Sequence, residues 1–182
     1  TEPAISEDFS NFHPEFSHAI CSKWEQLALN VSATKTRVCL LRTGIVLCQD
    51  GGALRKMLPA FKFGLGGPLA SGQQIMSWID IEDMVSAIIF IINTATLSGP
   101  INMTAPNPVT NKQFTRELAK TLHRPAVFPM PAFALSLLFG EMAELLIYGQ
   151  EVIPKKLLDA GFNFSHAELS SSLQAQLLDQ QH

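Results

Sequence analysis

An α/β fold over residues 15–105, followed by a mostly helical lobe, is what this 182-residue sequence predicts. Three observations carry that reading. Val38-Cys39-Leu40-Leu41 is a short continuous apolar run, suited to a strand buried on both faces of a helix-covered parallel sheet. Strand-like segments alternate with helix-periodic ones up to about residue 105. Beyond Thr110 the apolar period is almost wholly helical.

The elements follow in order. Residues 1–14 read as loop. From Glu15 a helix is expected, because Phe16, Ile20, Trp24, Leu27 and Val31 recur at three- and four-residue steps and form one apolar stripe, with Lys23, Glu25 and Gln26 off it. The run 38–41 is a strand, Ile45-Val46-Leu47 a second, and Gln49-Asp50-Gly51-Gly52 a turn. Residues 53–61 form a short helix stopped near Pro59. A glycine-rich loop, 64–68, leads to the alternating strand 77–81. Asp80 or Glu82 caps the next helix, about 83–93, whose apolar surface nearly all round implies deep packing. Residues 101–104 are a strand. Thr110 is the N-cap of a helix over 111–122, 126–128 a short strand, and Ala132–Tyr148 a long apolar helix. Pro154 opens a helix over 155–160, and 169–178 is the last.

Composition excludes several classes. The chain is 47% hydrophobic and 16% charged, ample for a core and unlike a disordered chain. A formal charge of −3 opposes non-specific nucleic-acid binding, so no nucleic-acid partner is expected. The run 84–92 is too short to span a bilayer, and 131–148 carries Glu141 and Glu144, so no membrane partner is expected. Three cysteines, Cys21, Cys39 and Cys48, with no CxxC and no signal-peptide pattern, suggest a reducing, cytoplasmic compartment without disulfides or zinc.

Candidate chemistry is sparse. Gly64-Leu65-Gly66-Gly67-Pro68 lacks GxGxxG spacing and follows a helix, so a mobile or tightly turned loop lining a cleft is expected rather than a phosphate cradle. Tyr148, the only tyrosine, has no lysine four positions on. The five histidines are scattered, with no pair at metal-ligand spacing, and His123 reads as a structural cation at a helix end. Asp80, Glu82 and Asp83 cluster where acid–base work is conceivable, but at a strand-to-helix junction capping is the simpler role. No catalytic constellation is complete, so no catalytic residue is assigned.

Five stretches are nevertheless distinctive: Leu40-Leu41-Arg42-Thr43-Gly44-Ile45-Val46-Leu47, Gly51-Gly52-Ala53-Leu54-Arg55-Lys56-Met57-Leu58-Pro59, Gly64-Leu65-Gly66-Gly67-Pro68-Leu69, Ser77-Trp78-Ile79-Asp80-Ile81-Glu82-Asp83 and Gly140-Glu141-Met142-Ala143. Together they resemble the C-terminal two-thirds of one branch of the extended short-chain dehydrogenase/reductase superfamily. This is the sugar-nucleotide epimerase-like branch with its own small helical C-terminal domain. The likeness runs from Thr1 to about Leu178.

That resemblance implies an incomplete doubly wound, Rossmann-like sheet lacking its N-terminal half, plus a helical lobe. Residues 1–105 would be the C-terminal part of an NAD(P)-binding domain, with a substrate-loop insertion near 53–76, and 106–182 a substrate-side lobe. The family's opening strand, glycine-rich turn and helix, and its tyrosine-containing segment before Thr1-Glu2, would need roughly 100 or more further residues. NADP is the implied cofactor of the complete protein. Arg42, Thr43, Gly44 and Val46 fall where the family's strand end passes the nicotinamide, and Lys56, Phe63, Gly72 and Gln73 beside its substrate cleft. The wider family often sets a diphosphate-gripping arginine just before the strand near Ser77. Here that residue is Met76, which cannot supply a guanidinium fork. The implied activity is NADP-dependent epimerisation or oxidoreduction of a sugar-like or small carbonyl substrate, with no turnover by this chain alone. The alternative is a non-catalytic NADP-binding or redox-sensing protein. A homo-oligomer through the helix Ala132–Tyr148 is the alternative to its burial against the second lobe.

Overall fold

The computed structural model describes residues 4–8, 16–30, 36–128 and 149–178. The helix α1 (Phe16–Leu29) leads to β1 (Cys39–Thr43) and β2 (Ile45–Leu47). Then come α2 (Gly52–Lys62), β3 (Ile75–Met76), β4 (Trp78–Asp80), α3 (Ile81–Asn93) and β5 (Gly99–Met103). After β6 (Val109–Thr110) the described elements are the helices α4 (Asn111–Thr121), α5 (Lys155–Asp159) and α6 (Leu169–Leu177). The expected helix Ala132–Tyr148, with Tyr148 and the Gly-Glu-Met-Ala stretch, lies outside the described residues.

The fold is mixed α/β with parallel strand pairs. β1 lies parallel to β5, Cys39 opposite Gly99 through Thr43 opposite Met103. β2 lies parallel to β4, and β3 pairs antiparallel with β6. The two parallel pairs meet where the chain changes partner. Gly44 N–H donates to the Met103 carbonyl, and Ile45 N–H to that of Ser77. Only glycine fits this crossing, because a Cβ at residue 44 would lie 2.6 Å from the Ser77 carbonyl oxygen and 2.9 Å from Thr104 Cγ2. Among the described residues, β1 has a partner strand on one edge only. Sheets this small have the size of part of a doubly wound fold.

Among the described residues two apolar cores result. The larger joins Leu47, Leu54, Trp78, Phe114, Leu118 and Leu173, drawing on β2, α2, β4, α4 and α6. It holds α2 together past Pro59: the helix runs to Lys62 instead of stopping, since Met57, Leu58 and Phe61 bury one face and outweigh the one backbone hydrogen bond that proline forgoes. The smaller core packs Ala87 and Ile91 of α3 on Ile101 and Met103 of β5, with Leu157 and Phe162. Phe162 meets Phe164 edge-on, ring centroids 4.7 Å apart.

Three further expectations change. α3 is not packed all round: Val85, Ile89 and Ile92, one stripe at i, i+4 and i+7, are each half or more exposed. β5 and the smaller core cover its other face. Likewise Trp24 of α1 is 67% exposed, and no described α1 side chain enters either core. Residues 126–128 form no strand, and Val127 and Phe128 are exposed. Elsewhere the local rules hold. Asp80 is the N-cap of α3, its carboxylate accepting from Glu82 N–H. Thr110 caps α4 in a full capping box with Gln113.

Candidate functional site

In sheets of parallel strands, ligands gather at the carboxyl ends of the strands. Along the whole length of β1, taking in that end at Thr43 and Gly44, runs a cavity of about 660 Å³. Its walls are Cys21, Trp24, Glu25 and Ala28 from α1, Cys39–Gly44 along β1, and Ser77, Asn102 and Thr104 from the neighbouring strand ends. Ile5, Ser6, Gln150 and Val152 close it.

The closing segment is sewn to the strand ends by side chains. Ser77 Oγ donates to the Gln150 carbonyl at 2.7 Å and accepts from Val152 N–H at 2.9 Å. Thr104 Oγ1 donates to the Val152 carbonyl, and Asn102 Nδ2 to that of Ile153. Ile5 adds a parallel bridge to Val152. Glu7, 5% exposed, fixes this stretch from beneath: its Oε1 accepts from the N–H groups of Asn102 (3.0 Å) and Lys156 (3.3 Å). Gly149 enters the segment so close to Ile75 that a Cβ would fall 1.7 Å from the Ile75 carbonyl oxygen.

Of the expected cofactor residues, Arg42, Thr43 and Gly44 line this cavity, whereas Val46 lies on β2 opposite Ile79 and does not. The Arg42 guanidinium is engaged side-on by Glu25: Nε donates to Oε1 and Nη2 to Oε2, both at 2.8 Å. This bidentate bond to Glu25, partly opposed by burial, raises the Arg42 pKa. The expected substrate residues lie elsewhere. Lys56 is exposed on α2, Phe63 is 82% exposed just past it, and Gly72 and Gln73 sit in the turn against the start of α4. None of the four lines the cavity.

The glycine-rich loop is tightly turned. Fully buried Asn111 accepts from Leu69 N–H through Oδ1 at 2.7 Å, and its own N–H donates to the Gln74 carbonyl. Its Nδ2 donates to Met76 Sδ, so Met76, 2% exposed, belongs to the core and faces no cleft.

The carboxylate cluster is also structural. Asp80 and Asp83 are buried. Asp80 accepts from Ser172 Oγ at 2.6 Å and from Gln176 Nε2, both on α6. Asp83 accepts from the N–H groups of Ser165 and His166 at 2.8 and 2.9 Å. Among the described residues, no three His, Cys, Asp or Glu side chains converge as a metal site would require, and no helix is long and apolar enough to cross a membrane.

Sequence reasoning missed Ser77, Thr104 and Gln150. Single polar residues at strand ends carry no periodic signal. It also placed Trp24 in a core stripe, whereas the residue borders the cavity.

Fold and site together describe an α/β protein of Rossmann-like build with a cleft at its strand ends. Known proteins make that description narrower. The epimerase family protein Mb2239 of Mycobacterium bovis is 44% identical over 174 residues, 95% of this chain and 58% of the relative. The chloroplastic SDR39U1 homolog of Arabidopsis thaliana is 38% identical over 175 residues, 96% of this chain and 50% of the relative. The crystal structure of the human epimerase family protein SDR39U1 (isoform 2) with NADPH is 32% identical, with a TM-score of 0.86, covering 96% of this chain and 59% of that one. The nucleoside-diphosphate sugar epimerase of Corynebacterium glutamicum matches at 28% identity and a TM-score of 0.75, covering 97% and 34%. Residues 130–176 match a family model described as a domain of unknown function, DUF1731. Over nearly its whole length the chain is similar to these epimerase family proteins, in line with the branch of the extended short-chain dehydrogenase/reductase superfamily that its motifs resemble. It spans about half the length of the curated relatives it matches.

Proposed function

We propose that this chain forms the substrate-side wall of an NADP-binding protein of the epimerase family, acting on a sugar-like or small carbonyl compound at the cavity beside β1. The observation that carries this reading is that the cavity running along parallel β1 takes in the strand's carboxyl end at Thr43 and Gly44. The human relative solved with NADPH supports the cofactor.

The residues present fit one end of such a cofactor. Thr43, Gly44 and the polar rim at Ser77 and Thr104 suit a ring carrying an amide. No strand-to-helix glycine fingerprint for the pyrophosphate occurs in these 182 residues. When bound, NADP supplies hydride transfer, and the protein contributes orientation and exclusion of water. In this reading residues 1–105 belong to the cofactor domain and 106–182 to the substrate-side lobe. Thr43 and Gly44 set the cofactor's neighbourhood, Val46 stays outside it on β2, and Lys56, Phe63, Gly72 and Gln73 reach substrate only as part of a larger assembly. Buried Met76 favours a substrate without a diphosphate to be gripped there.

A second reading, an NADP-binding protein without turnover, has its own support. The charged side chains lining the cavity, Glu25 and Arg42, hold each other. Neither is presented to substrate as an acid or base.

Calorimetric titration of the chain with NADPH and NADH, followed by NADPH oxidation with a panel of small carbonyls, tests both. No NADPH oxidation is expected of the chain as it stands. Oxidation would remove the second reading, and absence of NADPH binding even to a Thr43-containing full-length relative would remove both.

A further inference from the structure

We propose that the Glu25–Arg42 pair is the latch that fixes α1 against β1 and so sets the width of the cavity, with Arg42 a positioning residue rather than a ligand group. The inference adds a mechanism to the cavity described above, and only its cofactor arm rests on the proposed function.

The argument starts from what α1 lacks. Helices in globular proteins are held mainly by an apolar face buried in a core. The described side chains of α1 bury nothing fully: Trp24, Leu27 and Leu29 are exposed, and neither core includes an α1 residue. Its inner face looks instead onto the cavity, through Cys21, Trp24, Glu25 and Ala28. Among the described residues, buried apolar packing therefore does not dictate how far α1 stands from the sheet.

A fork-to-fork ion pair can. Both 2.8 Å bonds between Arg42 and Glu25 must be made at once, which fixes distance and angle together. The two side chains are 30% and 27% exposed, sheltered enough for the pair to persist yet open enough to feel salt. Arg42 sits on β1 between Leu41 and Thr43, so its backbone is fixed by the ladder to β5, Arg42 opposite Asn102. One end of the latch is therefore rigid, and the other carries α1.

The lysine variant is informative because an ammonium keeps the charge but loses the planar fork. If the pair positions α1, Arg42→Lys restores little of what Arg42→Ala removes. If Arg42 serves only as a positive charge, lysine restores most of it.

The test uses the whole 182-residue chain, labelled with 5-fluorotryptophan, because its two tryptophans report separately: Trp24 beside the cavity and Trp78 in the core. In Glu25→Gln, Arg42→Ala and the double variant, the Trp24 fluorine resonance is expected to move and the α1 amides to exchange about tenfold faster, with Trp78 and the α4 amides unchanged. The double variant is expected to match the single ones, as for a coupled pair. Raising sodium chloride from about 0.05 to 0.5 M should speed α1 exchange in the wild type and not in the double variant.

Unchanged α1 exchange in the single variants, or the same salt response in the double variant, would overturn the latch. So would loss of protection in α4 as well, which would make the pair a general stability element. NADPH titration of the same variants is a separate arm. Opening of α1 with no change in NADPH affinity would leave the latch standing and count against the cavity as the cofactor's place.

Discussion

Ser172 donates its hydroxyl to Asp80 at 2.6 Å, across 92 residues of sequence, and so ties the N-cap of α3 to the middle of α6. The same carboxylate caps Glu82 N–H and accepts from Gln176, whose own carbonyl oxygen is taken by Gln49 N–H. One buried side chain thus serves a helix start, a neighbouring helix and, at one remove, the turn after β2.

Replacing Asp80 should therefore be expensive. Asp80→Ala removes a cap and strands two buried donors, for a loss of about 3 kcal/mol. Asp80→Asn should cost less, about 1–2 kcal/mol, because Gln176 cannot turn its amide to meet the new N–H₂ without releasing Gln49. Urea midpoints at constant m-value measure both. Combining Asp80→Ala with Ser172→Ala should be less than additive, since the two share one interaction.

Gly44 is held by space rather than by backbone torsion. Gly44→Ala forces a methyl against the Ser77 carbonyl and should destabilise by about 2 kcal/mol or more. Gly51 is the opposite case. It is the N-cap of α2 with open space around it, so Gly51→Ser should gain a few tenths of a kcal/mol, on the order expected for a serine cap. The sign difference between the two substitutions, read by thermal denaturation, checks the packing argument.

Among the described residues, two carry positive φ without being glycine: Ala70 at 48° and His123 at 54°. His123 ends α4 in a Schellman arrangement, its N–H donating to the Lys120 carbonyl and that of Arg124 to Ala119. Ala70→Gly and His123→Gly should each stabilise by about 1 kcal/mol, because glycine adopts this region without a Cβ clash. Denaturant midpoints that fall instead of rising would contradict this.

The Glu25–Arg42 pair should be insensitive to mild alkali. The Arg42 pKa is raised above its ordinary value, so its contribution is undiminished across neutral and mildly alkaline pH and is lost only as pH rises through the folded value, beyond the normal arginine range. Stability from this pair, about 1 kcal/mol for a partly exposed bidentate contact, should be flat between pH 7 and 9 and fall with added salt. A double-mutant cycle at three salt concentrations measures it.

By itself the sequence determined what lies within a helical turn or a strand. Thr110 and Asp80 are caps because a short polar side chain reaches the N–H groups two or three residues on, and the continuous apolar run 38–41 marks the parallel strand β1. The expected cover on both faces is missing, however: no residue of β1 is buried and Leu41 is 39% exposed, because α1 stands off the strand across the cavity. Family motifs added the Rossmann-like build, and of the cofactor residues they implied, Arg42, Thr43 and Gly44 line the cavity. Tertiary structure alone decided the pairings of distant residues: Arg42 with Glu25, Asp80 with Ser172, and the Gln150–Ile153 segment with Ser77, Asn102 and Thr104. It also decided that the stripe Val85-Ile89-Ile92 faces outward, although its pattern equals that of a buried face. Periodicity records which side chains share a face. What that face meets depends on how remote segments are brought together, and no local spacing encodes it.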